Sequence, residues 1–143
     1  MSRLREINEK LNDFMSNLGG NIDQAILSVD WMLIDLVRDN IKNKQKNSFD
    51  KPITPVYSPF WKKIKNLTYP NLFDTGAWQG SFILNTHFPL YEIHSTDWKN
   101  AKLIDKYGSK EPLTAISPSN KPKAYSITNQ AIGQSLKLKV GLT

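Results

Sequence analysis

The stretch Asn71-Leu72-Phe73-Asp74-Thr75-Gly76-Ala77-Trp78-Gln79-Gly80-Ser81-Phe82-Ile83-Leu84 constrains the fold more than any other part of the chain. Its head, Asp74-Thr75-Gly76, bends the backbone, because Asp and Thr side chains bond nearby amides and glycine accepts positive φ. Its tail is rich in aromatic and branched residues with the parity of a strand. Trp78, Phe82 and Leu84 share one face, and Ala77, Ser81 and Ile83 the other. Leu90 to Ser95 reads as a second strand. The turn-rich Asn85-Thr86-His87-Phe88-Pro89 between them predicts a β-hairpin.

Two helical patterns precede the hairpin. Ile22, Ala25, Ile26, Val29, Met32, Leu33, Leu36, Val37 and Ile41 recur at steps of three and four. They predict one long helix, capped by Asn21 or Asp23 and running to about Lys42. Leu27, Trp31 and Ile34 widen its apolar face. Such a helix is either the spine of the core or is covered twice, by its own sheet and by a partner. On the second reading Trp31 or Ile34 lies in a subunit contact. Upstream, Leu4, Ile7, Leu11, Phe14 and Leu18 form a narrower stripe on a helix from Met1 to Leu18, with Arg5, Glu6, Glu9, Lys10 and Asp13 on its other side. Gly19-Gly20 ends it. This stripe docks on one neighbour, in its own domain or in an adjacent subunit.

Between helices and hairpin lie two basic runs. Lys42, Lys44 and Lys46 either touch phosphate or form a solvated helix end, where lysines suit the dipole. Residues 48–70 carry Pro52, Pro55, Pro59 and Pro70 and cross the surface in extended pieces. A connection of this length is functional or mobile. Within it Tyr57, Phe60, Trp61 and Tyr69 interleave with Lys62, Lys63 and Lys65. That mixture either stacks bases or places Phe60-Trp61 on a short helical turn packed against the body.

Beyond the hairpin, Thr96 or Asp97 caps a short helix that includes Trp98, Ala101, Leu103, Ile104 and Tyr107 and stops at Gly108. A loop with Pro112, Pro118 and Pro122 follows. Ser126 or Thr128 opens a last helix with Ile127, Ala131, Ile132 and Leu136 inward, weakened by Gly133. Leu136, Leu138, Val140 and Leu142 alternate with Lys137, Lys139 and Gly141, so the helix is expected to become an extended end. The fold class read from these elements is α+β: N-terminal helices on a small antiparallel β-sheet, with long proline-rich loops and a C-terminal helix. All 143 residues form a single domain, helical over 1–47, extended over 48–70, and sheet plus helices over 71–143.

Chemistry is harder to find. The chain has no cysteine, which excludes disulfides and thiolate zinc sites and fits a reducing cytoplasm. The first eighteen residues are amphipathic rather than a secretory signal, and the window Ile26 to Val37 is too short and too acidic to span a membrane. His87 and His94, with Asp97, would make a metal site only if the hairpin brought them together, and they lie in no recognised ligand spacing. Asp74-Thr75-Gly76 resembles the loop of aspartic proteases, which need two such carboxylates sharing a proton. No phosphate-cradling glycine loop or nucleophile elbow is present. The expectation is a protein without catalysis, cofactor or metal. The net charge of +6 serves solubility or draws an anionic neighbour such as nucleic acid.

Taken together, Asn71 to Phe82 and the later Lys106-Tyr107-Gly108 resemble the signature of head–tail joining, or tail-completion, proteins of tailed bacteriophages. In that family a Leu-x-Asp-Thr-Gly-x-x-x-x-Ser element introduces the first strands, and a strand ending near a tyrosine and a glycine, a loop and a C-terminal helix follow. Pro55 to Lys63 and Tyr91 to Asp97 are similar to versions from phages of Bacteroidetes. The similarity covers about residues 50–135, and Ser109 to Pro122 lacks the usual Arg-Pro-Phe run. The resemblance implies a structural virion protein of the neck, made in the host bacterial cytoplasm. Copies would form a sixfold or twelvefold ring between portal or adaptor and tail-tube proteins, with a channel for DNA. A ring needs a heterologous interface. Its candidates are Leu4, Ile7, Leu11, Phe14, Trp31 and Ile34 on the helices and Tyr57, Phe60 and Trp61 on the loop. Lys42, Lys44, Lys46, Lys62, Lys63 and Lys65 are candidates for DNA or another anionic surface. The competing reading is a basic nucleic-acid-binding protein using the same lysines with the aromatics Tyr57 and Trp61.

Overall fold

The computed structural model describes residues 2–141. Helices α1 (Arg3–Ser16), α2 (Leu18–Leu27) and α3 (Asp30–Lys42) open the chain, and α4 (Pro59–Lys65) interrupts the proline-rich segment. A single helical turn, α5 (Ala77–Gly80), leads into strands β1 (Phe82–His87) and β2 (Leu90–Ser95). Helix α6 (Asn100–Tyr107), a 3₁₀ turn over Pro118–Asn120 and helix α7 (Lys121–Val140) follow. The architecture is α+β: α2 and α3 pack on β1 of a two-stranded antiparallel sheet, and α7 packs against α1, α2 and α3.

Helix α3 is the spine. Leu33, Ile34, Val37 and Ile41 recur at helical steps and are buried against Ile26 of α2, Phe82, Leu84 and Ile93 of the hairpin, and Trp78, Ile53 and Leu113. Each such side chain contributes about 1.5–3 kcal/mol by leaving water. The register pairs Phe82 with Ser95 and Leu84 with Ile93, so these four residues form the inward face. Trp78 and Phe82 meet edge to face with centroids 4.9 Å apart. The parity read from sequence therefore holds for Phe82 and Leu84. The strand starts later than expected, because Ala77–Gly80 is helical.

Helix boundaries also differ from the sequence reading: α6 starts at Asn100 with Lys99 at its N-cap, rather than after a Thr96 or Asp97 cap, and the others shift for local reasons. Gly19 and Gly20 do not end a helix but lie inside α2, and α1 stops earlier, at Asn17, whose side chain donates to Asp13 O. Gly19 serves the hairpin instead. A Cβ there would stand 3.4 Å from the Phe88 ring, and the nearby Asp23 carboxylate accepts from the Phe88 amide at 3.1 Å. The long second helix is broken at Ser28-Val29, where the Ser28 hydroxyl donates back to Ala25 O and competes with the helical ladder. Helix α7 begins at Lys121, with Pro122 in its first turn, and runs to Val140. Over the described residues the alternation at its end is not a strand: Leu136 and Val140, four apart, turn inward while Leu138 faces solvent, and Leu142 lies outside the described residues. Lys139 Nζ donates to Asn21 Oδ1 and Gln24 Oε1, which holds this end on α2. Among the described residues no helix is long and apolar enough to cross a membrane.

The proline-rich segment is pinned rather than loose at its start. Asn47 Oδ1 accepts from the amides of Phe49 and Lys51, and its Nδ2 donates to Glu111. The Ser48 amide donates to Pro112 O and the Ser48 hydroxyl accepts from the Ala115 amide, while Ile53 is fully buried. Asp50 accepts from the Ser119 amide and hydroxyl, both at 2.8 Å. Burial pushes its carboxyl up, but these bonds, Ser117 and the charge of Lys46 together hold it below the ordinary value.

Candidate binding cleft and exposed aromatic surface

The stretch from Asn71 to Gly80 builds the wall of a cleft. Asn71 Oδ1 accepts from the Tyr57 hydroxyl at 3.1 Å and from the Phe73 amide at 3.2 Å, and Asn71 O accepts from Gln79 Nε2 at 2.8 Å. Arg38 Nε in turn donates to Gln79 O at 2.8 Å, which ties the turn to the spine helix. Leu72 between these anchors has φ of +54° and is only 8 % exposed. A left-handed leucine costs roughly 1–2 kcal/mol, and the bracket of bonds on either side, with the side chain in the core, holds it there. Gly76 has φ of +86°, and a Cβ on it would lie 2.9 Å from Phe73 Cζ. The result leaves Asp74 at the rim, 3.8 Å from Lys99 Nζ.

The cleft itself is about 300 Å³, bounded by residues 56–61, the turn over 72–78, and α6. Tyr57, Trp61, Leu72, Trp78, Leu103 and Tyr107 supply its apolar walls, and Lys65, Lys99 and Lys106 line it together with Asp74. Three ammonium groups against one carboxylate leave it positive. Lys65 Nζ donates to Phe73 O at 2.7 Å and stands 5.3 Å from the Tyr57 ring and 6.0 Å from the Trp61 ring. Aromatic walls with cations at the mouth suit a flat or apolar group that carries negative charge. Lys99 and Lys106 were missed in the sequence. They are seven apart at α6, a helical spacing that places both on one side.

The predicted residues divide. Phe14 and Ile34 are buried within the chain, Ile34 at 6 % exposure in the central cluster, and neither is a surface for a partner: the α3 spine turns Ile34 toward the hairpin. Ile7 is half-buried on α1, whereas Leu4 and Leu11 are exposed, as is Met15 on the same helix. Trp31 is 61 % exposed at the start of α3. The short helix expected around Phe60-Trp61 forms, with Pro59 at its start and the Ser58 hydroxyl accepting from the Trp61 amide. It does not pack its aromatics away: none of its residues is buried, and Phe60 is 66 % exposed. Tyr57 is half-buried in the cleft wall.

One lysine of each basic run reaches Phe73. Lys42 Nζ sits 4.0 Å over the Phe73 ring, and Lys65 Nζ donates to Phe73 O, so the two runs meet at this residue. Lys44 pairs with Asp39 at 3.7 Å, and the Lys46 backbone bridges to Pro52. Lys62 is half-buried and Lys63 exposed. The hairpin separates the histidines: His87 stands opposite Leu90 at the tip and His94 opposite Ile83. Asp97 is occupied in accepting from the Lys99 amide at 2.9 Å. Asp74, the aspartate of the protease-like tripeptide, faces a lysine rather than a second carboxylate. No protein-family model matches this sequence, and no curated protein and no solved structure matches it.

Proposed function

We propose that the chain is a non-catalytic structural protein of a bacteriophage neck, assembling as a ring between portal and tail around the path of the DNA. The observation that carries this reading is a core that nevertheless leaves large aromatics exposed at three places: Trp31 on α3, Phe60 and Trp61 on α4, and Trp98 just before α6. Large aromatic side chains in water are the anchors of protein contacts, and a ring needs two unlike faces. The resemblance of Asn71 to Phe82 and Lys106-Tyr107-Gly108 to head–tail joining proteins supplies the biological setting. Within it, sixfold or twelvefold symmetry, portal or adaptor and tail-tube neighbours, and a place in the virion belong to the same proposal. The net charge of +6 favours passing DNA or an acidic partner ring.

Electron microscopy of the purified chain, and its detection in purified particles at ring stoichiometry, test the reading. Closed rings and virion incorporation are expected. A chain that stays solitary and is absent from particles would contradict it. The second reading, a nucleic-acid-binding protein, is favoured by Lys65 standing near the rings of Tyr57 and Trp61. It requires affinity for single-stranded DNA that falls steeply with salt.

A further inference from the structure

We propose that the cleft of one copy receives Trp31 of a second copy, in a head-to-tail contact where Asp30 and Asp35 meet Lys99 and Lys106. This contact rests on the self-assembly reading and gives it an interface. Trp31 is exposed in the first turn of α3, and Asp30 Oδ1 accepts from the Trp31 amide at 2.7 Å, so a carboxylate is fixed at the backbone of Trp31. Asp35 lies one turn further on. It shares Arg38 at 3.0 Å, but its side chain remains 57 % exposed, and Arg38 is also committed to Gln79 O. Exposed Leu27, just before this turn, extends the apolar part. The knob is therefore an indole on a helix end that carries negative charge.

The cleft has the complementary character. Trp61 and Tyr107 line a volume of about 300 Å³, and Lys65, Lys99 and Lys106 outnumber Asp74 around it. That volume is at the small end for a ligand site and suits a single anchoring side chain. Tryptophan is among the residue types most enriched at such anchors, and opposed charges fix the register of the contact. Asp74 would repel the incoming carboxylates, but Lys99 at 3.8 Å offsets it.

Trp31 and the cleft rim lie at different stations along α3. Asp30 and Lys42 are the two ends of α3, roughly 18 Å apart at 1.5 Å per residue. Lys42 lies over Phe73, the neighbour of Asp74 at the cleft rim. Trp31 thus sits at the start of the spine and the cleft rim by its end, with Asp35 between them, tied through Arg38 to Gln79 O. A second copy is the occupant that this spacing and this charge pattern fit, and repetition of the contact propagates along one direction, as a ring requires.

Sedimentation velocity on the full chain tests the contact with Trp31→Ala, the double variant Lys99→Glu/Lys106→Glu, and their equimolar mixture. Wild type is expected to assemble. Each variant alone should associate at least about thirtyfold more weakly, the loss of one hot-spot anchor. The mixture should give a one-to-one complex, because the intact Trp31 of one chain meets the intact cleft of the other; misfolded chains would not complement. If wild type assembles and both variants assemble equally well, the contact is wrong while self-assembly stands. If wild type stays monomeric, both fail. Single-stranded oligonucleotide binding that is lost in Lys99→Glu/Lys106→Glu, in a chain that does not assemble, would overturn the proposal in favour of a nucleic-acid cleft.

Discussion

Helices α3 and α4 both carry large apolar side chains and use them in opposite ways. On α3, Leu33, Ile34, Val37 and Ile41 vanish into the core, while Trp31 at its start is left outside. On α4, Phe60, Trp61 and Ile64 are all exposed, although Ser58 and Pro59 give the helix a proper start. Apolar content does not separate the two; partners do. Helix α3 has the hairpin and α7 packed on it, whereas α4 is a short turn on a proline-bounded excursion. Its stability as a helix comes from capping and a preset φ rather than from burial. Helix α3 therefore specifies the fold, whereas α4, with the cleft beside it, stays at the surface, where the proposed contact between copies would use it.

The largest expected effect would sharpen that division. Replacing the fully buried Ile41 by alanine should cost about 2–5 kcal/mol through lost burial and a cavity. Phe60→Ala should stay within about 0.5 kcal/mol of wild type in the isolated chain. Urea unfolding of both reads the difference directly, and equal losses would break the comparison. Next in size is Gly76→Ala, which would put a Cβ into the Phe73 ring at a φ of +86°. A loss of about 1–3 kcal/mol is expected, with the cleft wall disturbed and the spine intact, so hydrogen exchange should rise over 71–78 and not over α3.

A smaller effect belongs to the core side. The Tyr91 hydroxyl is buried and meets no partner in bonding geometry among the described residues, though the Asp23 carboxylate lies close. Burial, then the Asp23 charge, pushes its pKa from 10.0 up to about 12. The folded state therefore favours the phenol. Its contribution is complete below the ordinary value and is lost as pH rises from there through about 12. Tyr91→Phe should be near neutral at about pH 7 and should remove this alkaline component, as seen by circular dichroism melts against pH. The smallest effect lies at Asp50, whose depressed pKa makes its contribution present above 3.8 and lost as pH falls through the lower folded value. Asp50→Asn should flatten the acid limb of the same melts slightly.

What could be read from the sequence was whatever one element states by itself. The apolar steps from Ile26 to Ile41 and the parity of Phe82 and Leu84 depend only on local period, and both appear in the core. Gly19-Gly20 misled because Gly19 faces Phe88 from the hairpin tip, far along the chain, while a Cβ on Gly20 would meet nothing and Gly20 simply continues the helix. Leu136, Leu138 and Val140 fit two periods at once, and packing on α2 decided for the helix. The candidate site was legible in its parts, Asp74-Thr75-Gly76, Tyr57 and Trp61, but not as a cleft. Its assembly depends on Arg38 bonding Gln79, Gln79 bonding Asn71 and Asn71 bonding Tyr57, a relay among residues that no spacing rule connects.

Hydrogen–deuterium exchange on the concentrated and the dilute chain tests most directly whether the exposed aromatic surface exists for other copies. Concentration should add protection over residues 27–35, 56–65 and 98–107, the segments of the knob, of α4 and of the cleft wall on α6. The core amides of Val37 to Ile41 should exchange alike in both samples. Identical exchange everywhere at the two concentrations would contradict the account.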